Sequence, residues 1–587
     1  MAEEFNGSRE ALAESSQDTS DADESEDDFG YMLDAPLKAT TKSPHPPPGH
    51  ILELWQIFVQ NVDPLTKVVH APLLQPQVER AAADLEALLR SLEALLFAIY
   101  SAAIMSLKDD ECKKFGEPRK TLLSRYTIAT KAALSRAKFM GTTNIILLQA
   151  LVLHTISLRD TVDSRTLWTM SGVVMRIAEA MGLHRDGTVL GLPPFESEIR
   201  RRIWWQLKMN DARTAELSGL PKFRGFSADE QSPHAPANVN DNELYPGMSS
   251  PAIESRKVTD MIFCVLRPEF ASFLTRNVVR NPQRGKDDHL WDNYGSEDDL
   301  RRKDEMLNQL EETLETKYVR YCDPSQPLQL MSMLVVRSAM NVGRFIAHHP
   351  RSWAKQEQTP ESERQYVWSV SVKLLEQYNM MQSIQCFSWH AAYFLQWNSF
   401  IHILDTLLAD PFNNDAEKTW QLVETAYHNT PDMVKNTRKP IHVAIGNLCL
   451  KAWNAREAAF AEQGKPVIHV PEYIAQLRKQ RESAKVRQQQ HRNQSSRIDA
   501  STGFRGPCQL LGDGKNEEIL TDSNQPAQLV ETRSPQDMTL DNTFWPMGGV
   551  ENGLFGIPES TMDMDSYFML AQHNDFERAS DQFFGWT

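Results

Sequence analysis

Two triplets in the sequence spell motifs of phosphoryl-transfer enzymes. His184-Arg185-Asp186 matches the catalytic-loop triplet of protein kinases, and Asp28-Phe29-Gly30 matches their metal-binding triplet. The two triplets occur in the wrong chain order, no asparagine lies five residues after Asp186, and no glycine-rich phosphate loop is present. The GxSxG, HExxH, GxGxxG and P-loop motifs are also missing from the sequence. We therefore predict a protein that is not an enzyme, with no catalytic, cofactor-binding or metal-binding residues.

The cysteines are scattered rather than clustered. The chain has six of them: Cys112, Cys264, Cys322, Cys386, Cys449 and Cys508. None of the spacings is short enough for a small loop to close around a tetrahedral zinc ion. Isolated cysteines in a long chain are typical of buried, reduced thiols in a cytosolic or nuclear protein. The adjacent His348 and His349 precede Pro350 at a predicted helix end, so we interpret them as capping or exposed residues rather than ligands.

The block Arg200-Arg201-Arg202 allows two interpretations. Arginines contact phosphates in nucleic-acid-binding proteins, where they usually belong to a wider basic surface. Here Glu196 and Glu198 precede the first and third arginines by four residues, the favourable order for ion pairs on one helix. The chain also carries 62 Lys and Arg against 78 Asp and Glu, a net charge of −16, which disfavours a general affinity for nucleic acid. Ion pairing is therefore the favoured interpretation.

Two amphipathic helices position these residues, one on each side of a proline-containing break. In the first helix, apolar residues recur at alternating spacings of three and four: Leu167, Met170, Val174, Ile177 and Met181. Asp163 or Ser164 can cap its start, and Gly182 stands where a left-handed C-cap residue belongs. The pattern predicts a helix with one buried face.

The second helix begins after Pro193 and Pro194 and is predicted to end at Gly219 and Pro221. Its buried stripe is predicted to contain Phe195, Ile199, Ile203 and Leu207. The adjacent Trp204 and Trp205 can be interpreted as a stacking platform or as packing residues. Their position beside the stripe favours packing.

Helical patterns continue on both sides of this pair, with no convincing β pattern and no repeat of fixed period. Asp63-Pro64 is predicted to form a turn, and Gln77–Leu107 to form one long helix. Further helices are predicted at Leu122–Lys138, Thr143–Leu158, Ala252–Val278, Asp298–Lys317, Leu328–His348, Ser362–Met381, Ser388–Leu408, Asp415–Tyr427 and Ile441–Gln463. The predicted fold class is all-α, a large multi-helix domain with disordered N- and C-terminal tails.

Composition divides the chain into four segments. Residues 1–50 are Ser-rich and acidic, and such a segment cannot bury enough apolar surface to offset chain entropy. Residues 51–465 form the predicted helical domain. Residues 466–500 are basic and Gln-rich, which is typical of a nuclear localisation signal, a weak phosphate-binding patch or a solvated linker. Residues 501–587 end in alternating aromatic and acidic residues, the composition of an activation region or of an ordinary disordered tail.

Two apolar runs need testing as membrane spans. Residues 94–107 are uncharged but too few to cross the hydrocarbon core of a bilayer. Residues 139–158 carry Gly, Thr, Asn, Gln and His, so a buried helix starting near Thr142 is favoured. The N-terminus has no apolar stretch of the kind found in secretory signals. The sequence therefore predicts a soluble intracellular protein without a membrane partner.

The two central helices together resemble the middle homology region of fungal zinc-cluster (Zn2Cys6) transcription factors. The resemblance is carried by the Gly-Leu-His-Arg-Asp helix end at 182–186, by Glu198 to Trp205, and by Asp211, Arg213 and Gly219. Looser similarity extends over residues 51–408. The resemblance implies an all-helical regulatory domain in a nuclear transcription regulator, one that governs a fungal biosynthetic, secondary-metabolite gene cluster.

The sequence departs from this family in one respect. Its members carry six clustered cysteines that bind two zinc ions and read DNA, whereas the first cysteine here is Cys112, inside a helical pattern. The family's zinc ligands therefore transfer onto no residue, and no cofactor is expected. Two explanations stay open: a gene model without its first exon, or, slightly favoured, a regulator that works without its own zinc cluster.

Three functional hypotheses follow from the residues and the resemblance. The first is a nuclear transcription regulator whose C-terminal tail recruits the transcription machinery. The second is a zinc-cluster-free co-regulator that dimerises with a DNA-binding relative. The third is a small-molecule-sensing helical receptor. Direct contact with DNA, and the choice between homodimer and heterodimer, stay open at this point.

Overall fold

Helices account for all of the regular secondary structure in the described part of the chain. The computed structural model describes residues 45–218, 232–277, 297–350, 353, 359–436, 440–464, 469–484 and 486. No β-strand occurs within these ranges. The all-α prediction is confirmed. Of the predicted tails, residues 1–44 and 501–587 lie outside the described residues, while residues 48–50 of the predicted N-terminal tail already belong to the first helix.

Seventeen α-helices follow one another along these ranges. The first eight are α1 Pro48–Ile57, α2 Asp63–Thr66, α3 Ala71–Ala83, α4 Arg90–Met105, α5 Arg119–Arg136, α6 Ile145–Ser157, α7 Ser164–Ala180 and α8 Pro194–Leu217. The other nine are α9 Ile262–Asn277, α10 Glu297–Lys317, α11 Pro327–His348, α12 Glu361–Ser383, α13 Ser388–Ala391, α14 Trp397–Ala409, α15 Ala416–Asn429, α16 Asp432–Lys435 and α17 Pro440–Glu462. Residues 472–484 are also helical.

The first hydrophobic core is built around α4. Every residue from Ala94 to Met105 is buried, so this helix is apolar on all sides and must be covered on all sides. Helices α1, α5 and α6 pack against it. Helix α6 begins where Asn144 Oδ1 accepts a 2.8 Å hydrogen bond from the Ile146 amide, and its residues from Leu147 to Ser157 are all buried. Both apolar runs tested as membrane spans are thus core helices.

Helices α7 and α8 pack against each other as the sequence predicts. Asp163 caps α7, since its Oδ1 accepts a 3.0 Å hydrogen bond from the Thr166 amide. Gly182 follows the helix with φ of +78°, a left-handed conformation that strains other residues. The predicted stripe of α8 is buried throughout: Phe195, Ile199, Ile203 and Leu207. The predicted end of α8 at Gly219 and Pro221 lies outside the described residues.

A second hydrophobic core lies between α9, α10, α11 and α12. Helix α12 also packs on α14 and α15, and α14 packs on α17. Leu65 of α2 is buried in this second core although its neighbours in sequence belong to the first. Trp389 of α13 packs against both cores. Segments from distant parts of the chain therefore meet where the two cores adjoin.

Helix α11 is the one described helix that is long and apolar enough to cross a membrane. In its most apolar window, 78% of the residues are buried inside the protein. Core helices of globular proteins meet the same criterion, and α11 packs against α9, α10 and α12. Burial of this kind leaves no lipid-facing surface on most of the helix.

The predicted long helix over Gln77–Leu107 is wrong, because the chain breaks after Ala83. Asp84 adopts an extended backbone with φ of −145°, and its Oδ1 accepts a 3.0 Å hydrogen bond from the Glu86 amide. Such local hydrogen bonds of Asp compete with the helical ones. The predicted turn at Asp63-Pro64 is also wrong, since both residues start α2, where proline is tolerated in the first turn.

Two other helix boundaries differ from prediction for reasons that lie far away in sequence. Helix α9 begins at Ile262 rather than Ala252, because Asn238 holds the preceding segment extended through a 2.7 Å hydrogen bond from its Nδ2 to the Ser255 carbonyl. The predicted helix over 388–408 is interrupted between α13 and α14. There Arg213 donates a hydrogen bond to the Tyr393 carbonyl, which an unbroken helix would use internally.

The chain divides into two compact units. The described residues up to Tyr473 belong to the first unit, and those from Ile474 onward belong to the second. All seventeen helices lie in the first unit. In the second unit the described residues are 474–484 and 486, which are helical.

Candidate functional site

The arginine block of α8 takes part in internal hydrogen bonds. Arg201 donates from Nε and from Nη2 to the two carboxylate oxygens of Asp186, both at 2.7 Å. Arg202 donates to Glu198 at 3.1 Å and to Asp241 at 2.6 Å. The predicted ion pair between Arg202 and Glu198 is confirmed. Arg200 donates from Nη1 to the Met181 carbonyl at 2.9 Å and also interacts electrostatically with Glu196, its predicted partner.

Asp186 is the residue that ends the kinase-like triplet, and it is fully enclosed. Burial raises the pKa of its carboxyl group, but hydrogen bonds from Arg201, Thr188 and the His234 amide outweigh that effect and hold the pKa below its ordinary value. The carboxylate therefore anchors the turn after α7 to α8 and to the segment at His234. Asp186 thus positions these three elements relative to one another.

A second group of buried charges surrounds Asp241. Lys67 donates from Nζ to Asp241 at 2.7 Å and to Asp63 at 3.1 Å. Arg202 contacts the other carboxylate oxygen of Asp241, so each buried cation of this group has two carboxylate partners. We call Asp63, Lys67, Asp186, Glu198, Arg201, Arg202 and Asp241 the charge network. It joins α2, α8 and the segment before α9.

The sequence reasoning missed Asp63, Lys67 and Asp241 as members of this network. Asp63 and Lys67 do have the spacing of four that allows an ion pair on one helix. No pattern in the neighbouring sequence indicates that both residues are buried, or that Lys67 has a left-handed φ of 46°. Asp241 lies 174 residues after Lys67, and no pattern in the sequence connects them.

A cavity lies beside the charge network, where the two hydrophobic cores adjoin. Its volume is about 70 Å³, and its wall comes from α2, α6, α7, α8, α9, α11 and the segment around α13. Three arginines and one histidine line it: Arg159, Arg213, Arg267 and His390. The described residues that line it include no aspartate or glutamate. The cavity wall therefore brings three arginines and one histidine close together.

Arg159 is held by aromatic rings on one side of the cavity. The carbon of its guanidinium lies 4.0 Å from the ring centroid of Trp389 and 4.5 Å from that of Tyr393. Its Nη1 donates to His390 Nδ1 at 3.4 Å, while its Nη2 is buried with no hydrogen-bond partner among the described residues. Stacking of this kind fixes the plane of the guanidinium.

The pKa values of His390 and Arg267 are both lowered, which shows that the surroundings of the cavity disfavour positive charge. Burial lowers the pKa of His390 well below its ordinary value, and the charges of Arg159, Arg267 and Arg213 lower it further. The histidine is therefore neutral and can accept the hydrogen bond from Arg159. Burial also lowers the pKa of Arg267 to about 10, although its Nη1 donates to Gln206 Oε1 at 2.6 Å.

Other residues singled out in the sequence serve as packing or ion-pair residues. Trp204 and Trp205 are buried, and Trp205 Nε1 donates to the His234 carbonyl at 2.8 Å, so the packing interpretation is confirmed. The interpretation of His348 as a capping or exposed residue is wrong. His348 is buried and bridges Glu363 at 2.7 Å and Asp304 at 3.1 Å, because three helices meet at the end of α11.

The described cysteines are free thiols. Cys112, Cys264 and Cys449 are buried, as predicted, while Cys322 and Cys386 are half-buried and Cys508 lies outside the described residues. No group of three or more His, Cys, Asp or Glu side chains in the described ranges is arranged to hold a metal ion. Asp28-Phe29-Gly30 lies outside those ranges.

The fold and its signature motif define a known class of domain. Residues 55–262 match the family described as the fungal specific transcription factor domain. That range contains most of the first core, the charge network and both helices of the signature. This part of the chain is a fungal specific transcription factor domain.

The chain is similar to curated transcription factors that are named for biosynthetic clusters. It is 33% identical over 448 residues to the aurofusarin cluster transcription factor aurR2 of Gibberella zeae, a match that covers 74% of this chain and 64% of the relative. It is 32% identical over 451 residues to the pyriculol/pyriculariol biosynthesis cluster transcription factor 1 of Pyricularia oryzae, covering 74% and 58%. A third relative, the C6 finger domain transcription factor hasF of Aspergillus fumigatus, is 29% identical over 402 residues, covering 62% and 52%.

The matched region thus spans about three fifths of the length of the first two relatives. In this chain it extends well beyond residue 262, since the 448 aligned residues outnumber all those up to the end of the family domain. The likeness to these regulators therefore includes helices that follow α8.

Proposed function

We propose that this chain is a nuclear transcription regulator of a fungal biosynthetic gene cluster. The observation that carries the proposal is the likeness over 448 residues to a transcription factor named for the aurofusarin cluster. The second relative is likewise named for a biosynthesis cluster. A domain match of 55–262 supports the same class of function independently of these names.

In this proposal the helical unit is a regulatory scaffold and performs no catalysis. Its buried charges are engaged with one another in the charge network, which gives an ordered junction between α2, α8 and the segment before α9 rather than an exposed reactive group. Regulation then proceeds through partners: the transcription machinery, or a second transcription factor bound as a homodimer or heterodimer. DNA is reached directly or through that second factor.

Transcript measurements in the fungus of origin test the proposal. Deleting the gene should change transcripts of a contiguous set of biosynthetic genes by more than about tenfold, equivalent to a free-energy difference of about 1.4 kcal/mol in promoter occupancy. Reintroducing the full chain should restore them. Unchanged transcripts across all biosynthetic clusters under producing conditions, with the protein outside the nucleus, would overturn it.

The C-terminal residues 541–587 are proposed to recruit the machinery. They lie outside the described residues, and the support is compositional: acidic residues keep aromatic side chains solvated until a partner groove binds them. Fused to an unrelated DNA-binding domain, this segment should activate a reporter. Replacing its aromatic residues with Ala should abolish activation, whereas residues 1–44, a segment of similar length, serve as control. Equal activation by both segments would contradict the role.

The proposed nuclear location can be tested on the basic segment. Arg478, Lys479 and Arg481 lie in the helical residues 472–484, and all are at least partly exposed. Replacing the three with Gln should reduce nuclear accumulation of the full chain if this segment is the localisation signal. Replacing the basic residues Arg301 and Arg302 of α10 provides a control with similar loss of charge.

A further inference from the structure

The chain segment that precedes the first helix is anchored beside α5. His45, at the start of the described residues, has a side chain that is only 2% exposed. Its ring stacks on Phe97 of α4 with the centroids 4.2 Å apart, and its Nε2 lies 3.8 Å from Glu93 Oε1. The other carboxylate oxygen of Glu93 accepts a 2.9 Å hydrogen bond from Arg136 Nη2, at the end of α5. The residues before His45 therefore join the fold next to the C-terminal end of α5.

Helix α5 presents positive charge to solvent. It carries five basic residues and no acidic one, in a chain whose net charge is −16. Its exposed residues, which we call the α5 face, are Lys120, Thr121, Ser124, Arg125, Ile128 and Arg136. Ile128 lies between the charged residues of this face and is 47% exposed. The α5 face therefore combines cations with an apolar centre.

The cations at this surface remain able to bind further carboxylates. Each arginine of the α5 face contacts one nearby glutamate, Glu117 or Glu93, in a partly exposed ion pair. Exposed pairs of this kind contribute little free energy and exchange partners easily. Lys120, and Lys138 just after the helix, are exposed and have no ion-pair partner in the described part of the chain. These two lysines are the strongest candidates to contact an acidic segment.

Residues 18–28 have the composition that complements the α5 face. Their sequence is Asp-Thr-Ser-Asp-Ala-Asp-Glu-Ser-Glu-Asp-Asp, with seven acidic residues and no basic one. Phe29, Tyr31 and Leu33 follow directly and supply apolar side chains for the centre of the face. Opposite charges on the two surfaces favour their association.

The length of the intervening chain allows this contact. Asp28 lies 17 residues before His45, and an extended chain of that length spans up to about 55 Å. Along α5, the rise from Lys120 to Arg136 is about 24 Å. The acidic residues can therefore reach any part of the helix from the anchor at His45. We propose that residues 18–28 bind to the α5 face of the same chain.

Attachment to the same chain favours this segment over nucleic acid as the occupant. A tethered segment has an effective concentration on the order of millimolar, and the net charge of −16 repels other polyanions. The acidic segment then covers the positive surface of α5 and keeps it from binding anions nonspecifically. This inference does not depend on the proposed role in transcription.

Labelling of lysine amines with a succinimidyl ester, read by mass spectrometry on the purified full chain, tests the contact. The tail variant has the seven acidic residues of 18–28 replaced with Asn or Gln. At low salt we expect Lys120 and Lys138 to react at least threefold faster in the tail variant than in the parent chain. The difference should vanish in about 1 M sodium chloride, where the screening length is about 3 Å. Lys418, an exposed lysine of α15, should react equally in both.

A control variant and a second readout assign the effect to residues 18–28. Replacing Glu3, Glu4, Glu10 and Glu14 with Gln removes acidic residues outside the segment and should leave both rates unchanged. A carbodiimide, which couples carboxylates to amines in direct contact, should link residues 18–28 to Lys120 or Lys138 within one chain at every protein dilution. Equal labelling rates in the parent chain and the tail variant, with or without protection by added duplex DNA, would overturn the proposal. Cross-links that form only between chains would also overturn it.

Discussion

Arg201 and Asp186 form a two-point ion pair in which Nε and Nη2 each lie 2.7 Å from one carboxylate oxygen. Asp186 is inaccessible and the Arg201 side chain is 15% exposed, so the pair is largely shielded from water. It joins the end of the α7 turn to the middle of the signature in α8. This ion pair therefore joins the two most conspicuous motifs of the sequence, the kinase-like triplet and the arginine block.

Removing the charge of Asp186 should destabilise the helical unit. Asp186→Asn leaves Arg201 with only the more distant Glu198 carboxylate, 3.8 Å away, and breaking a buried pair by changing one partner costs about 3–5 kcal/mol. Chemical denaturation of the full chain measures the free energy of unfolding. Asp298→Asn, which changes an exposed pair with Arg301, is the control and should cost less than about 1 kcal/mol. An equally small effect for Asp186→Asn would contradict the role given to the pair.

Gly187, next to Asp186, should tolerate no side chain. A Cβ there would lie 2.7 Å from the Ser197 Cα, a backbone atom that cannot move away without shifting α8. Gly187→Ala should therefore destabilise the protein by about 1–3 kcal/mol. Gly172→Ala is the matched control, since a Cβ at that position in α7 meets nothing within 4 Å. It should stabilise the helix by about 0.5–1 kcal/mol, and the opposite order in thermal denaturation would be a contradiction.

His348 should make stability decrease as the pH rises above neutrality. Burial lowers its pKa, but hydrogen bonds to Asp304 and Glu363 outweigh burial, and the folded-state pKa is raised above the ordinary value of 6.5. A raised pKa contributes stability that is fully present below the unfolded-state pKa and is lost as pH rises through the folded-state pKa. His348→Gln should remove this decline. The check is the difference in unfolding free energy between variant and parent from pH 6 to 8.5, which should shrink with pH; a constant difference would contradict it.

His154 should make stability decrease as the pH falls, the opposite of the effect of His348. It is fully buried in α6, neither ring nitrogen has a hydrogen-bond partner among the described residues, and burial lowers its pKa to about 3. The unfolded chain takes up a proton near pH 6.5, whereas the folded chain resists it, so stability falls as the pH drops below that value. His154→Leu should be neutral or stabilising at pH 7.5 and should gain on the parent between pH 6.5 and 5. A variant that loses stability at both pH values would show that the imidazole has a partner.

Local sequence patterns predicted the helices correctly where the periodicity is strong. The predictions failed where contacts with residues distant in sequence set the helix boundaries. The stripe of Phe195, Ile199 and Ile203 repeats within a few turns, so periodicity identifies both the helix and its buried face. The break between α13 and α14 depends on Arg213, 180 residues before Tyr393. Asn238 likewise delays the start of α9 from outside that helix. A single sequence contains no periodic signal for such contacts.

The candidate site was beyond sequence reasoning for the same reason. Arg159 and His390 are 231 residues apart, and each appears in the sequence as an unremarkable residue near a helix end. In the sequence, Arg213 stands out only because it belongs to the family signature. The cavity forms when these residues converge, and no local pattern in the sequence indicates that its wall contains three arginines and a histidine.

The hydrogen bond from Trp389 Nε1 to the Asn61 carbonyl spans 328 residues of chain. A ribosome must therefore synthesise most of the protein before the wall of the cavity can close. A fragment ending at residue 262, where the family domain ends, would contain Arg159 and Arg213 but neither Trp389 nor His390. The end of the family domain at residue 262 therefore does not coincide with the end of the segment that builds the cavity. Truncated versions that keep the whole signature would still lack part of the cavity wall.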